Sequence, residues 1–340
     1  MLGNAKAALA RLQGQSAVIP NQGVLINTIS LQEAKASSAI ENIFTTDDEL
    51  YKAYSDQNQE TQGVSKEVLR YREALWTGHQ YLLEQTGFNE RYFIQVFQEL
   101  KQTTDEIRPD FINTTIKQGG TGPNSGQVIY TPPRGTAVIE EKLANLIEFI
   151  NDDERYKIDH LLKMVIAHFQ FEAIHPFRDG NGRSGRVFNI HYLTKKGLLD
   201  FPILFLSRYI LDTKQDYYSG LMGVSQRGDW KNWLLYMLRA IEVTSNITYH
   251  KINDIVEAKD SILNHVKSEH KNISQPEALI QMIFEQPFTK VKHLQEAKIF
   301  SENTARKYLN QLCDIRVLEK KTLEGHHYYL NLELYRILSE

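Results

Sequence analysis

Cysteine is almost missing from this chain: its 340 residues include one, Cys313. A single thiol cannot build a disulfide framework within the chain, so stability has to come from a core, and the simplest compartment is a reducing one, the cytoplasm. An excess of either charge is missing too. With 39 Lys+Arg against 42 Asp+Glu the formal net charge is −3, which gives no global field to draw the protein to nucleic acid or to a membrane. No apolar run approaches the roughly 18 residues that suggest a membrane span. Ala8, Leu9 and Ala10 precede Arg11 without the apolar stretch of a secretory signal. The remaining composition, 41% hydrophobic and 24% charged, is that of a soluble globular chain long enough for two or three domains with real cores.

Against this plain background lies one dense run, His175-Pro176-Phe177-Arg178-Asp179-Gly180-Asn181-Gly182-Arg183-Ser184-Gly185-Arg186. A neutral imidazole at His175 can take a proton at ordinary pH. Asp179 offers a hard carboxylate oxygen of the kind Mg²⁺ uses alongside phosphates and water. Gly180 and Gly182 let main-chain N–H groups approach an anion, and Asn181 between them adds an amide donor. Val187, Ile190 and Leu193 then recur at helical spacing, so the loop opens onto a helix N-terminus, where free N–H groups and the dipole favour phosphate. Arg183 and Arg186 lie roughly on one side of that helix, and their forks suit phosphate oxygens. Arginines there oppose the dipole, so they call for an anion or a carboxylate partner. Phe177 is the apolar member, expected to pin the loop to the core. Together these residues fit a chemistry that handles a nucleoside triphosphate.

The run resembles the signature of the Fic family, His-x-Phe-x-Asp/Glu-Gly-Asn-Gly-Arg-x-x-Arg, with every fixed position filled. Most active members of that family transfer AMP from ATP to a hydroxyl of a target protein. The resemblance runs from about residue 90 to 240, taking in His168, Phe171 and the pair Tyr217-Tyr218, which in relatives lies near the adenine. It implies a mainly α fold, a helical Fic core with a short β-hairpin flap. The flap strand is Val128, Ile129 and Tyr130, ended by Pro132 and Pro133, and in relatives it pairs with the target's backbone. Relatives often carry an arginine-rich turn just upstream, and this chain departs from that. Further upstream, Ser37-Ser38-Ala39-Ile40-Glu41-Asn42 is similar to the family's inhibitory motif, Ser/Thr-x-x-x-Glu-Gly/Asn. In relatives its glutamate pairs with the last signature arginine and blocks productive ATP binding, which here implies Glu41 on Arg186 with Ser37 beside them. The implied enzyme is a protein adenylyltransferase. It would use His175 as base, Mg²⁺ on Asp179, and Gly180, Asn181, Gly182, Arg183, Ser184, Gly185 and Arg186 as the phosphate site. Its partners would be ATP and a target protein, with no membrane. Transfer of another phosphate-containing group, removal of AMP through a water placed by Glu41, and a nucleotide-sensing DNA-binding regulator stay open, as does a homodimer.

The rest of the chain divides by pattern. Residues 1–88 form an N-terminal region, partly irregular to about 28 with Gly14, Pro20 and Gly23 as breakers, then helical at about 30–42 behind a capping box from Ser30 to Glu33. A polar stretch, 55–60, reads as exposed. Helices are expected from Lys66 to Leu83 and from Asn89 to Gln102, and a loop from Gln118 to Gly126. A Fic core occupies 89–245, where Ile158, Leu161, Leu162, Val165, Ile166 and Phe169 mark the amphipathic helix leading to His175. His168 on it reads as packed or supporting. Helices near Asp212–Ser225 and Trp230–Thr244 precede a connecting helix in 246–270. Residues 271–340 read as a winged helix-turn-helix: three helices, the third capped by Ser301, and a hairpin turning at Glu324-Gly325. Arg306 and Lys307 on the third helix face Glu302, and charges nearly balance across the unit. DNA binding is therefore weakly supported, and a protein-contact or dimer role at least equally so.

Overall fold

The computed structural model describes residues 1–18, 22–56, 63–117, 126, 128–323 and 325–340. Pro20, most of the polar stretch, the loop 118–125 and Glu324 lie outside the described residues. The N-terminal half begins with α1 (Leu2–Val18), α2 (Gln22–Ile40), α3 (Asp47–Ser55), α4 (Val64–Glu84) and α5 (Glu90–Lys101). A two-stranded antiparallel hairpin follows, β1 (Ile116–Lys117) against β2 (Val128–Tyr130), with Ile116 opposite Tyr130. Next come α6 (Thr136–Asn151), α7 (His160–Ile174), α8 (Asn181–Lys195), α9 (Leu206–Asp212), α10 (Lys214–Arg227) and α11 (Trp230–Glu269). The C-terminal unit holds α12 (Pro276–Phe284), β3 (Phe288–Thr289), α13 (Val291–Glu296), α14 (Glu302–Asp314), β4 (Leu318–Leu323), β5 (His326–Asn331) and α15 (Leu332–Ser339). Its sheet is antiparallel in the order β3-β5-β4. Ser301 caps α14 by accepting from Thr304 N, and the whole is compatible with a winged helix.

Four sequence expectations are corrected. The N-terminus expected to be partly irregular is the helix α1: Ala5, Leu9 and Leu12 fall on one face and are buried where α1 packs along α11. That burial offsets the ~1 kcal/mol a glycine such as Gly14 costs a helix. The capping box does not form, because α2 starts earlier: Ser30 is buried in mid-helix, its hydroxyl donating back to Asn27 O at 3.4 Å. Glu33 turns into the core instead, accepting from Tyr71 OH at 3.0 Å, from Ser207 N at 2.8 Å and from the Ser207 hydroxyl. Ser207 lies in the first turn of α9, so a buried carboxylate of α2 supplies the acceptor that this helix end lacks, and α2 is fastened to α4 and α9. The two helices expected over 230–267 are one, α11, of 40 residues. No Pro or Gly interrupts it, and the hydroxyls between the two expected segments bond back into it, Thr244 Oγ1 to Ala240 O at 2.7 Å and Thr248 Oγ1 to Thr244 O at 2.8 Å. Ile158, expected on the helix before His175, precedes its first turn.

The centre of the fold is α8, buried at all but one position from Asn181 to Leu193, with α2, α4, α5 and α7 against it. The C-terminal unit is bolted to α3: Lys290 pairs with Asp56, Tyr328 OH donates to Asp56 at 2.5 Å, and His293 Nε2 meets Ser55 O at 3.1 Å. Leu12→Ala should cost about 2–4 kcal/mol by opening a cavity between α1 and α11. A lowered urea midpoint with an unchanged slope checks it, and an unchanged midpoint would return α1 to the status of a loosely attached segment.

Candidate active site

The catalytic candidates sit where α7 ends and α8 begins. His175 is the C-cap of α7, in the left-handed region at φ 51°, so the chain turns sharply after it. Phe177 stacks on Phe97 of α5, centroids 4.2 Å apart and rings nearly parallel, which pins the loop as expected. The Asn181 side chain grips the backbone of Phe177 at both ends, accepting from its N–H at 2.9 Å and donating to its carbonyl at 2.8 Å. That amide shapes the loop and leaves the main chain to meet an anion. Gly180 takes φ 77° at the N-cap, and α8 opens with no side-chain cap, so its first N–H groups face the loop.

Burial is the main force on His175: it lowers the pKa to about 4, with Arg108 adding to the drop, while a bond from Nδ1 to Glu172 O and the charges of Glu41 and Asp179 work against it. The imidazole is therefore neutral at physiological pH, as a base must be. Asp179 accepts from Lys101 Nζ at 2.7 Å and from Gly180 N at 2.6 Å. Burial works against its ionisation, but Lys101 and Gly180 outweigh it and hold the carboxyl below the usual range.

Both signature arginines are buried, and each meets a carboxylate from the N-terminal region. Arg186 donates from Nη2 to Glu41 Oε1 at 2.7 Å and to Ser37 O at 3.0 Å, and from Nε to Ser37 Oγ at 2.7 Å. Burial opposes its charge, and Glu41 more than restores it, so the pKa is raised. Each fixed position of the motif Ser37 to Asn42 has a geometric reason. Ile43 N donates to Ser38 O and Asn42 N to Ala39 O, both at 3.0 Å, the double closure of a helix C-terminus. Asn42 takes the left-handed residue of that closure at φ 62°, and Glu41 before it is thereby aimed at Arg186. A Cβ on Gly182 would lie 2.4 Å from Glu41 Oε1, so the anion loop has room for this carboxylate only because glycine is there.

Arg183 donates to Glu67 Oε1 at 2.8 Å, and Glu67 also lies 3.7 Å from Lys101 Nζ. Neither Glu67 nor Lys101 was singled out by sequence, because their partners lie far along the chain. Glu172 was also missed, although a carboxylate on the buried face of α7 was a signal. It is buried, its Oε1 has no hydrogen-bond partner, and burial raises its pKa to about 7, with Arg186 opposing and Glu41 adding. Ser184 and Gly185 lie inside α8. A Cβ on Gly185 would sit 2.4 Å from Glu172 Oε1, 3.2 Å from Phe171 and 3.3 Å from His168, so a larger residue there would force these side chains to shift. Of the tyrosine pair, Tyr217 is buried with its hydroxyl 2.9 Å from His168 Nε2, so His168 is a packed, supporting histidine. Tyr218 reaches a narrow cavity that Glu172, Phe169, Leu221, Ile116 and Tyr130 also line. Val128 is exposed on the flap strand, Ile129 lies beside it in β2, and Tyr130 borders the cavity.

A helical core thus brings together a neutral histidine, a glycine-flanked loop at a helix N-terminus and two buried arginines paired with carboxylates. Comparison gives the arrangement a family. Residues 1–80 match the profile described as Fic/DOC family N-terminal, residues 69–193 that of the Fic/DOC family, and residues 259–334 that of the C-terminal domain of SoFic-like protein adenylyltransferase. The chain belongs to the Fic/DOC family. It is 27% identical over 151 residues to the protein adenylyltransferase fic-1 of Caenorhabditis briggsae, an overlap of 44% of this chain and 27% of that one. A probable protein adenylyltransferase of Aquifex aeolicus is 33% identical over 81 residues, 24% of each chain. The matches thus span only about a quarter of these relatives' own length. Among solved structures, a Fic family protein from Desulfovibrio desulfuricans shares the fold across 97% of this chain and 95% of its own, with TM-score 0.58 at 20% identity. Fic-1 of C. elegans does so across 74% and 71%, with TM-score 0.55 at 19% identity.

If Asn42 is retained for its backbone, Asn42→Gly should be neutral, while Asn42→Val should cost roughly 1–2 kcal/mol. Equal melting temperatures for the two variants would sink this account of the motif.

Proposed function

We propose that the protein is an adenylyltransferase that moves AMP from ATP to a Tyr, Thr or Ser hydroxyl of a target protein, and that Glu41 holds it in check. The observation that carries the reading is the Glu41 carboxylate on Arg186, an anion of the protein's own seated in a loop otherwise built to receive phosphate. The names of the relatives point the same way.

In this reading the N-terminal N–H groups of α8, with Arg183, hold the α- and β-phosphates, and Arg186 takes the γ-phosphate once Glu41 withdraws. The pair Tyr217-Tyr218 would neighbour the adenine, with Tyr218 the member that lines the narrow cavity. Asp179 is a single carboxylate, and among the described residues no cluster of three or more ligating side chains surrounds it. That suits Mg²⁺, which keeps waters and leans on substrate phosphates, and the bound ion would neutralise phosphate charge. His175 removes the proton of a target hydroxyl laid along the flap strand at Val128, Ile129 and Tyr130. The hydroxyl oxygen bonds to the α-phosphorus, the bond from that phosphorus to the β-phosphate's bridging oxygen breaks, and pyrophosphate leaves. Catalysis of this kind is mostly positioning, so a carboxylate in the γ-phosphate's place is enough to silence it.

The division into an N-terminal region (1–88), a Fic core (89–245), a connector (246–270) and a winged helix (271–340) belongs to the same reading, with α11 running through the boundary between the core and the connector. Arg306 pairs with Glu302 at 2.7 Å on the surface, and with charges nearly balanced across the last unit a protein contact is at least as well supported as DNA.

Purified Glu41→Gly protein given Mg²⁺ and ATP labelled on the α-phosphate should label protein well above the wild type, and Glu41→Gly/His175→Ala should not label at all. An unchanged rate in Glu41→Gly would remove the inhibitory role, and His175-independent label would remove the base. The pH dependence follows from a His175 pKa lowered to about 4. The base is lost only below that value, so labelling by Glu41→Gly should hold down to about pH 5 and fall beneath it. A midpoint at the ordinary histidine value, about 6.5, would contradict the buried neutral imidazole.

A further inference from the structure

Arg108 lies in the loop between α5 and β1, outside every motif of the sequence, and is 2% exposed. Among the described residues its guanidinium meets carbonyls and no carboxylate. Nε donates to His175 O at 2.8 Å, Nη1 to Ile112 O at 3.2 Å, and Nη2 to Pro133 O. Its own backbone N–H donates to Pro176 O at 2.9 Å. Burying a cation with no counter-charge is costly, and burial does lower its pKa. A hydrophobic side chain would fill the space more cheaply but could not bond three carbonyls, and lysine's ammonium lacks the planar fork.

The origin of the three carbonyls gives the residue its meaning. Ile112 lies on the leg that enters the flap hairpin, four residues before β1, and Pro133 on the leg that leaves it, three residues after β2. The third belongs to His175, whose left-handed backbone is one that non-glycine residues adopt at a cost. That carbonyl also ends α7, where the helix dipole welcomes a cation. One guanidinium therefore ties both legs of the flap to the backbone of the candidate base. The groups around the anion loop, Lys101, Glu67 and Glu41, are held by other contacts.

We infer that Arg108 is a positioning residue that fixes the distance and angle between a hydroxyl docked on the flap and the His175 imidazole, without taking part in nucleotide binding. This rests on the reading of His175 as base and of the hairpin as docking flap. It separates two properties that a general loss of structure would damage together: nucleotide affinity persists while transfer fails.

The test uses the full chain in the Glu41→Gly background, with Arg108→Met and Arg108→Lys. Magnesium-ATP affinity by calorimetry should stay within about twofold of the parent, whereas kcat for His175-dependent labelling should fall at least about tenfold in Arg108→Met, the scale of a sub-ångström misplacement. Arg108→Lys, which keeps one donor nitrogen and the charge, should recover part of the loss. Hydrogen exchange should quicken in the flap legs, 112–117 and 128–133, and stay unchanged in α8. Unaltered labelling, or a loss of affinity equal to the loss of kcat, overturns the proposal. If the Glu41→Gly parent does not label, the adenylyltransferase reading fails on its own. The exchange data then decide the tie, and flap legs as protected in Arg108→Met as in the parent overturn it.

Discussion

Arg186 is 1% exposed and stands near the N-terminal end of α8, where the helix dipole repels a cation. Its charge survives there because Glu41 and both oxygens of Ser37 surround it. Removing an acceptor from a buried ion is far costlier than exchanging it for another, so any state of this protein must offer Arg186 something anionic. The rest of the site follows from that demand. Here the N-terminal region supplies that anion, and in the proposed function the γ-phosphate of ATP would take the same fork.

The same logic extends to its neighbours. Arg183 leans on Glu67, which also approaches Lys101, and Lys101 in turn holds Asp179. The anion loop is thus ringed by alternating charges drawn from α4 and α5, and it is electrostatically quiet as it stands. In the proposed function the phosphates of ATP would compete with these carboxylates for the arginines. Exposed pairs such as Lys101–Asp179 give way easily, whereas the Arg186 cluster, dry and threefold bonded, is the stiff member. Glu33 adds to that stiffness by fastening α2 to the start of α9.

The site was more legible in the sequence than the frame that holds it. The run His175 to Arg186 and the hexad Ser37 to Asn42 were readable because chemistry constrains neighbouring residues, and neighbours are what a sequence displays. The missed residues act across long separations: Glu67 on Arg183, Arg108 on His175, Glu33 on Ser207. Local rules misread the frame in both directions. Glycine suggested irregular chain where α1 forms, and a serine with a glutamate three residues on suggested a cap where α2 is in mid-course. In each case burial against another element outweighed a local preference worth about a kilocalorie.

The unbroken length of α11 has a mechanical consequence. Its 40 residues span about 60 Å at 1.5 Å each. It begins beside Phe169 of α7, under the candidate site, and ends against α12 of the C-terminal unit. A helix without proline or glycine transmits position rather than bending. It therefore serves as a common spine: α1, α7, α12 and α15 all pack on it, so the N-terminal region, the core and the C-terminal unit are held to one another through a single element.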